Sequence, residues 1–435
     1  MLDDDVHPTP HLPQDVIPGG GHTYSKGDDQ FPANAPRFLE RGEGAIVWDD
    51  QGRSYLDWTM GLRTMSLGYG NADVIEAAIE QIRLGSNFGR PSRVESDAAA
   101  DLLNLLPHAE MVKFAKNGST ATTAAVKLAR AYTGRDLVAL CSDHPFFSYD
   151  DWFIGTTACD AGVPEAIKRL SLTFRYNDLD SVRRLFDAHP GQIAALIMEA
   201  ATSEPPRDGF LQGVQDLCRR NGTVFILDEM ITGFRWHLNG AQAYYGLAPD
   251  LSTFGKGIAN GFSVSALVGR RDIMELGGLR SSQPRVFLVS TTHGAENHAL
   301  AAMRATLRVF SREPVIEHLW NIGGALIEGL NAAAADVGIA AHFQAAGYPC
   351  SPVYACRDSE GAVSLPLRTL FLQEMARRGI LCNYLAPSYA HTAADVVRTV
   401  DAARDAFIIL SRALDAGWQS LLEGVPIKPV FRQFN

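Results

Sequence analysis

The stretch Val224–Arg235 reads VFILDEMITGFR, and it decides the fold class. Its first four residues are β-branched, aromatic or aliphatic, a pattern typical of a buried strand. Two acids follow at once, so Asp228 is predicted at the carboxyl end of that strand. In a parallel α/β sheet this end faces the ligand crevice, where a carboxylate can serve chemistry. The alternative role for Asp228 is to cap the next turn.

Similar apolar runs lie on both sides of this stretch, with helical patterns between them. The predicted buried parallel strands are Leu137–Leu140, Ala194–Met198, Val224–Leu227 and Val264–Val268. Helices are predicted at Leu179–His189 and Gly213–Asn221 from their apolar periodicity. Because strands alternate with helices over roughly 150 residues, the sequence predicts a large, doubly wound α/β domain.

The two ends of the chain have a different pattern. Residues 1–35 are rich in Pro, Gly and Asp, which indicates an irregular arm, and Gly44–Asp57 alternates around a turn like a β-hairpin. Helices are predicted at residues 72–85, 298–310, 315–336, Leu365–Arg378 and Ala393–Leu414. We therefore predict the N-terminal arm and part of a small domain at 1–75, the large domain at 76–310, and the C-terminal part of the small α+β domain at 311–435.

Composition excludes several classes of protein. The 435 residues are 46% hydrophobic, an ordinary value for a globular chain, and carry a net charge of −10. An acidic chain is a poor candidate for a general nucleic-acid binder. The N-terminus MLDDDVHPTPHLP is acidic where a signal peptide would be basic and then apolar. We expect a cytoplasmic protein without nucleic-acid or membrane partners.

Gly255-Lys256-Gly257 places a lysine between two glycines in apolar surroundings. The glycines allow close approach to the amine, and desolvation lowers the pKa of a lysine, as a Schiff-base nucleophile requires. The alternative is an exposed lysine in a loop.

Two further segments could bind an anion. Lys116–Ala121, KNGSTA, precedes an apolar helical stripe over Thr122–Tyr132, and the free N–H groups at a helix start suit a phosphate. Ordinary N-capping by Ser119 is the alternative. Ser290–Glu296, STTHGAE, sets hydroxyl groups beside a glycine turn, for which a plain turn is the alternative.

Taken together, these segments resemble the class III aminotransferase family of fold-type I pyridoxal phosphate (PLP) enzymes, in its glutamate-1-semialdehyde aminomutase-like branch. Asp228–Arg235, DEMITGFR, resembles the branch's DEVMTGFR, and Pro249–Gly261 resembles its PDLTTLGKxxxGG. Leu128–Asp136 and Ser388–Thr392 match its phosphate-loop helix and its SxAHT motif. The similarity extends from about residue 15 to about residue 415.

The resemblance implies a PLP enzyme with no metal site. Lys256 would bind PLP as a Schiff base and shuttle a proton, and Asp228 would keep the pyridine nitrogen protonated. The implied cofactor-binding residues are Gly118, Ser119, Thr120, Phe146, Glu199, Asp228, Met230, Lys256 and Thr292. Phe146 is expected to stack on the ring, with Phe147 as the alternative. Thr292 would reach the cofactor of a neighbouring subunit, which implies a homodimer with shared active sites.

Positions expected to bind the substrate depart from the aminomutase pattern. The arm motif GGVNSPVR reads GGGHTYSK here and ends in Lys26; NMG is replaced by Ser203-Glu204-Pro205, and SWG by Thr59-Met60-Gly61. Lys26, Arg63 and Glu204 are therefore the candidate substrate residues, although Arg63 could equally be a surface arginine.

These departures favour an aminotransferase that uses a small amino acid or amine as donor and a keto or aldehyde compound, sugar-like compounds included, as acceptor. Intramolecular amino transfer of the glutamate-1-semialdehyde 2,1-aminomutase type is the alternative. A PLP decarboxylase or racemase would use the same lysine and aspartate. A non-catalytic PLP-fold scaffold is a further alternative, against which the retention of Lys256 and Asp228 argues.

Overall fold

The apolar runs form the strands of a large central sheet in the computed structural model, which describes residues Leu12–Phe434. The described residues contain that sheet and two smaller ones, whose strands are together β1 Leu39–Glu43, β2 Ile46–Asp49, β3 Ser54–Asp57, β4 Met111–Ala115, β5 Leu137–Cys141, β6 Ser171–Phe174, β7 Ile193–Glu199, β8 Val224–Glu229, β9 Leu251–Phe254, β10 Ser265–Gly269, β11 Phe343–Tyr348, β12 Ser351–Cys356 and β13 Ile380–Leu381.

The longer helices agree with the periodicity of the sequence to within a few residues, except for Arg93–Leu105, which was not predicted. They are α1 Ala72–Leu84, α2 Arg93–Leu105, α3 Gly118–Thr133, α4 Leu179–Ala188, α5 Phe210–Asn221, α6 Asn297–Arg312, α7 Val315–Asp336, α8 Leu365–Arg377 and α9 Ala393–Ala416. Within residues 12–434, no helix is long and apolar enough to cross a membrane.

The central sheet has seven strands in the order β4-β10-β9-β8-β7-β5-β6. Strands β5 to β9 are parallel to one another, and every residue of β7 and β8 is buried, which explains their uninterrupted apolar sequences. The register pairs Glu199 with Asp228, and Asp228 with Thr253, so the polar residues meet at the carboxyl ends of the strands.

The prediction of a parallel strand at Val264–Val268 is wrong in direction. Strand β10 is antiparallel to both β9 and β4. A parallel return requires a crossover of a dozen or more residues, and the segment 255–264 between β9 and β10 contains only a short 3-10 turn. The chain therefore reverses directly. Because β9 is parallel to β8, Lys256, two residues after the end of β9, lies at the same edge of the sheet as Asp228.

A second, smaller core joins the two ends of the chain. The hairpin of β2 and β3 is antiparallel as predicted, and β13 from the C-terminal part pairs parallel with β3. Trp58 is fully buried, its ring stacks on the His391 ring at a centroid distance of 3.9 Å, and its Nε1 donates to Thr399 Oγ1. Chain segments that precede the large sheet in sequence and segments that follow it therefore share one core. The domain limits given above remain a prediction. Residues 1–11 of the predicted arm lie outside the described residues.

Candidate functional site

Asp228 lies at the end of β8, where one of its two carboxylate oxygens accepts hydrogen bonds. Its Oδ1 accepts hydrogen bonds from Met230 N at 2.9 Å and from Thr253 Oγ1 at 3.0 Å. Among the described residues, Oδ2 accepts none. Burial raises the pKa of Asp228 to about 6, although these two hydrogen bonds and the charge of Lys256 oppose the change. A buried carboxylate with a free oxygen fits a cationic ring nitrogen.

The adjacent acid has a different task. Glu229 accepts hydrogen bonds from Thr232 Oγ1 and from the backbone N–H groups of Ala241 and Gln242. Burial raises its pKa to about 7. Because these partners satisfy both of its oxygens, Glu229 anchors the short helix Gly240–Tyr245 rather than facing a ligand.

Lys256 lies just after β9 with a left-handed backbone, at φ 46°. Its two glycine neighbours are required by close contacts. A Cβ at Gly255 would lie 2.5 Å from Met230 Sδ, and one at Gly257 would lie 2.6 Å from Ser66 Oγ. Burial lowers the pKa of Lys256, whereas the negative charges of Asp228 and Glu199 raise it. The amine is therefore partly desolvated, as its chemistry requires.

The helix after β4 begins four residues earlier than the sequence pattern indicated. Gly118 is its first residue, and Asn117, not Ser119, caps it by accepting from Thr120 N at 2.9 Å. Ser119 Oγ instead accepts from Tyr149 N at 3.1 Å. The segment 118–120 is thus the first turn of α3, whose N–H groups and positive dipole end favour an anion.

Met230 connects this helix start to the lysine turn. A Cβ at Gly118 would lie 2.9 Å from Met230 Sδ, the same atom that lies against Gly255. The thioether thus lies between the first turn of α3 and the turn that carries the buried lysine. These residues fit PLP: the helix end for its phosphate, Met230 for one face of the ring, Asp228 for the ring nitrogen and Lys256 for the aldehyde carbon.

The aromatic residues after β5 do not all lie inside the site. Phe147 is 2% exposed and packs edge-on against Phe153, whereas Phe146 is 45% exposed in the single chain. Stacking on the ring by either residue remains a prediction. Sequence reasoning missed His144, which is buried and whose Nδ1 accepts from Glu199 N at 3.1 Å. The sequence feature that could have identified His144 is its position three residues after the buried strand β5.

Glu199 is a buried acid with an unused oxygen. Within residues 12–434, its Oε2 and the Nε2 of His144 have no hydrogen-bond partner. Burial and the nearby charge of Asp228 raise the pKa of Glu199 to about 8, although Lys256 and Arg63 oppose this. Both unpartnered atoms lie at the carboxyl ends of β5 and β7, where the cofactor ring is expected.

The raised pKa of Glu199 predicts how stability of the cofactor-free protein changes with pH. An acid whose pKa rises on folding favours the folded state while it is protonated, and this contribution is lost as the pH rises through about 8. Between about pH 5 and 8, the unfolding free energy of Glu199→Gln should decline less steeply than that of the wild type, by on the order of 1 kcal/mol per pH unit. Urea denaturation at several pH values measures this pH dependence, and Glu76→Gln, at an exposed glutamate, is the control. An unchanged slope would contradict the assignment.

The three candidate substrate residues lie in different surroundings. Lys26 is exposed on the N-terminal arm, and Glu204 is exposed and paired with Arg207 at 3.5 Å. Arg63 is half-buried, and its charge acts on Lys256 and Glu199, so of the three it belongs most closely to the site.

The segment expected to reach a neighbouring subunit lies at the surface. Thr292 is exposed in the single chain, and its carbonyl oxygen accepts from Asn87 Nδ2 at 3.2 Å. Glu296 fixes the same segment by an ion pair with Lys116 at 2.8 Å. Among the side chains of residues 12–434, no cluster of His, Cys, Asp or Glu could hold a metal ion.

Comparison with known proteins agrees with this geometry. The family model described as Aminotransferase class-III matches residues 28–414. The glutamate-1-semialdehyde 2,1-aminomutase of Anaeromyxobacter dehalogenans strain 2CP-1 is 34% identical over 418 residues, which is 90% of this chain and 95% of that protein.

Solved structures also match nearly the whole chain. The PLP internal aldimine form of the FumI protein from Sphingopyxis sp. MTA144 has a TM-score of 0.85 at 28% identity, covering 93% of this chain and 96% of that one. An omega-transaminase from Sphaerobacter thermophilus has a TM-score of 0.83 at 25% identity, covering 92% and 96%.

Proposed function

Because this chain belongs to the class-III aminotransferase family of PLP-dependent enzymes, we propose that it moves an amino group of a small molecule through PLP bound at Lys256. The fold is fold-type I. The observation that carries the proposal is the position of Met230 Sδ against both Gly118 and Gly255, which brings the helix end and the lysine turn to one cradle. Bound PLP supplies a ring that accepts electrons from the substrate carbon.

The residues of the chain hold and move charge around that ring. The first turn of α3 binds the phosphate through backbone N–H groups, and Met230 covers one face of the ring. Asp228 keeps a proton on the ring nitrogen through its free Oδ2, which makes the ring a stronger electron acceptor. Lys256, whose pKa burial lowers, would carry a proton between the substrate carbon that bears the amino group and the aldehyde carbon of the cofactor.

Two finer reactions are compatible with this site. The curated relative favours intramolecular transfer of the glutamate-1-semialdehyde aminomutase type, because 34% identity extends over 90% of the chain. Intermolecular transfer between an amine or amino acid and a carbonyl acceptor is the second candidate. The replacement of the arm arginine by Lys26, of NMG by Ser203–Pro205 and of SWG by Thr59–Gly61 favours it.

The need for an acceptor distinguishes the two reactions. With glutamate-1-semialdehyde alone, the intramolecular candidate predicts formation of 5-aminolevulinate at a rate that added keto acid does not increase. The measurement is product quantification by mass spectrometry, with the enzyme lacking Lys256 as control. Absence of 5-aminolevulinate, together with turnover of an amino donor only when a keto acid is present, would instead support intermolecular transfer.

The proposal includes a homodimer in which Thr292 binds the phosphate of the neighbouring subunit's PLP, and a cytoplasmic location. The exposed position of Thr292 in the single chain supports the first part. Light scattering of the purified protein should give about twice the chain mass of 47.3 kDa. A mass equal to that of one chain would contradict the shared site.

A further inference from the structure

We propose that Arg63 binds a carboxylate group of the substrate, so that this enzyme acts on a carboxylate-bearing amino or carbonyl compound. The inference rests on the proposed function, because it concerns the substrate side of the same site. It is independent of whether amino transfer is intramolecular or intermolecular.

The guanidinium of Arg63 has N–H donors that are not used in hydrogen bonds within the described residues. Its Nε donates to Ser351 Oγ at 3.2 Å, and the group lies over the Tyr384 ring, 5.4 Å from the centroid. Among the described residues, the two terminal nitrogens have no hydrogen-bond partner, although the side chain is half-buried. One edge of a guanidinium offers two parallel N–H groups, which match the two oxygens of a carboxylate.

The charge of Arg63 acts on the reacting groups. It lowers the pKa values of both Lys256 and Glu199, and the Arg63 carbonyl oxygen lies 3.9 Å from where a Cβ at Gly257 would be. A substrate attached beside Lys256 therefore has this cation within its surroundings.

The nearby Arg235 shows the contrast. Its NH1 donates to the carbonyl oxygens of Cys350 and Pro387, and its NH2 donates to Ser66 Oγ. These bonds occupy both terminal nitrogens of Arg235, so its guanidinium holds the surrounding chain segments together. Arg63 lies in the same region with its terminal donors unused.

The backbone that carries Arg63 is strained. Met60, Gly61, Leu62 and Arg63 have φ values of 46°, 55°, 61° and 70°, one turn of left-handed helix in which Thr64 N donates to Met60 O at 3.0 Å. Left-handed backbone costs free energy at each non-glycine residue, and such strain is typical of functional sites.

A buried aspartate holds this turn in place. Asp57 accepts from Thr59 N at 2.8 Å through Oδ1, and from Met60 N at 3.0 Å and Tyr69 Oη at 2.7 Å through Oδ2. Asp57 is only 2% exposed, so these three donors fix its carboxylate. The turn is therefore a built support that directs the Arg63 side chain.

A carboxylate fits this position better than a phosphate. The spare donors belong to one guanidinium edge, which satisfies one carboxylate, whereas a phosphate dianion calls for further donors or cations. Lys26 is exposed, Arg235 is committed to its carbonyl partners, and the acid Glu199 lies close by.

The test measures equilibrium binding to the PLP-loaded enzyme by calorimetry, with glutarate, its neutral diamide and methyl phosphate as probes. Arg63→Gln should weaken glutarate binding by about 10- to 100-fold, the usual range for losing hydrogen bonds to a charged group, and Arg63→Lys should be intermediate. Binding of the diamide should not change. Arg219→Gln, at an exposed arginine on α5, is the matched control and should leave glutarate binding unchanged.

A variant that relieves the strain separates binding from folding. Because glycine adopts a left-handed backbone freely, Arg63→Gly should unfold at a higher temperature than Arg63→Gln while binding glutarate as poorly. The visible absorbance of bound PLP should be the same in all variants, and its loss from the wild type would refute the proposed function instead. Glutarate binding that is absent in the wild type or unchanged in Arg63→Gln would overturn the assignment of Arg63, and so would an Arg63-dependence limited to methyl phosphate.

Discussion

Replacing Lys256 by alanine is expected to lower amino transfer by at least about 10⁴-fold. The lysine has two tasks, since it holds the cofactor covalently and moves the proton, and proton transfer by a positioned group alone contributes about 10²- to 10⁴-fold. The variant should also lose the visible absorbance that PLP shows when it is joined to an amine. Steady-state assays and absorbance spectra of the purified variant measure both effects.

A matched control is the exposed lysine of β4. Lys113→Ala removes a lysine from the same large sheet and should leave both readouts unchanged. If Lys256→Ala retained the visible band of the wild type, another amine would hold the cofactor, and the role given to Lys256 would be wrong.

Asp228→Asn is expected to lower the rate of amino transfer by about 10²- to 10³-fold, the usual effect of removing one preorganised electrostatic partner. The amide retains the size of the carboxylate and can still accept from Met230 N and Thr253 Oγ1. What it loses is the negative charge of Oδ2, so the ring nitrogen is no longer kept protonated. Single-turnover rates at saturating cofactor isolate this effect from PLP affinity.

The neighbouring acid provides the comparison. Glu229→Gln should lower the melting temperature, because Glu229 accepts from Thr232, Ala241 and Gln242, but should change the single-turnover rate much less than Asp228→Asn. Equal losses of rate in the two variants would show that Asp228 acts through the stability of the β8 end rather than through the ring nitrogen.

The sequence predicted the features that depend on local pattern. The apolar runs became strands because β7 and β8 are buried on both faces, and the two acids after Leu227 identified the end of a strand. The helices were recognisable from periodicity, and the β2–β3 hairpin from its turn residues. The family resemblance rests on the same motifs.

Features that depend on long-range contacts could not be predicted in the same way. An apolar run such as β10 has the same composition in either direction, and only its partners β4 and β9 set its antiparallel pairing. The position of His144 after a buried strand does not reveal its contact, since its partner, the Glu199 N–H, comes from the neighbouring strand β7. The left-handed turn that carries Arg63 is held by Asp57, and no propensity favours it for Met60 or Leu62.

The most direct test of PLP attachment to Lys256 is chemical trapping. The purified enzyme is loaded with PLP, reduced with borohydride, digested, and its peptides are analysed by mass spectrometry. We expect one modified peptide, with the mass of reduced PLP added at Lys256, and no such modification when an excess of a reactive amino donor precedes the reduction. A PLP adduct on another lysine, or none at all after loading, would contradict the central claim.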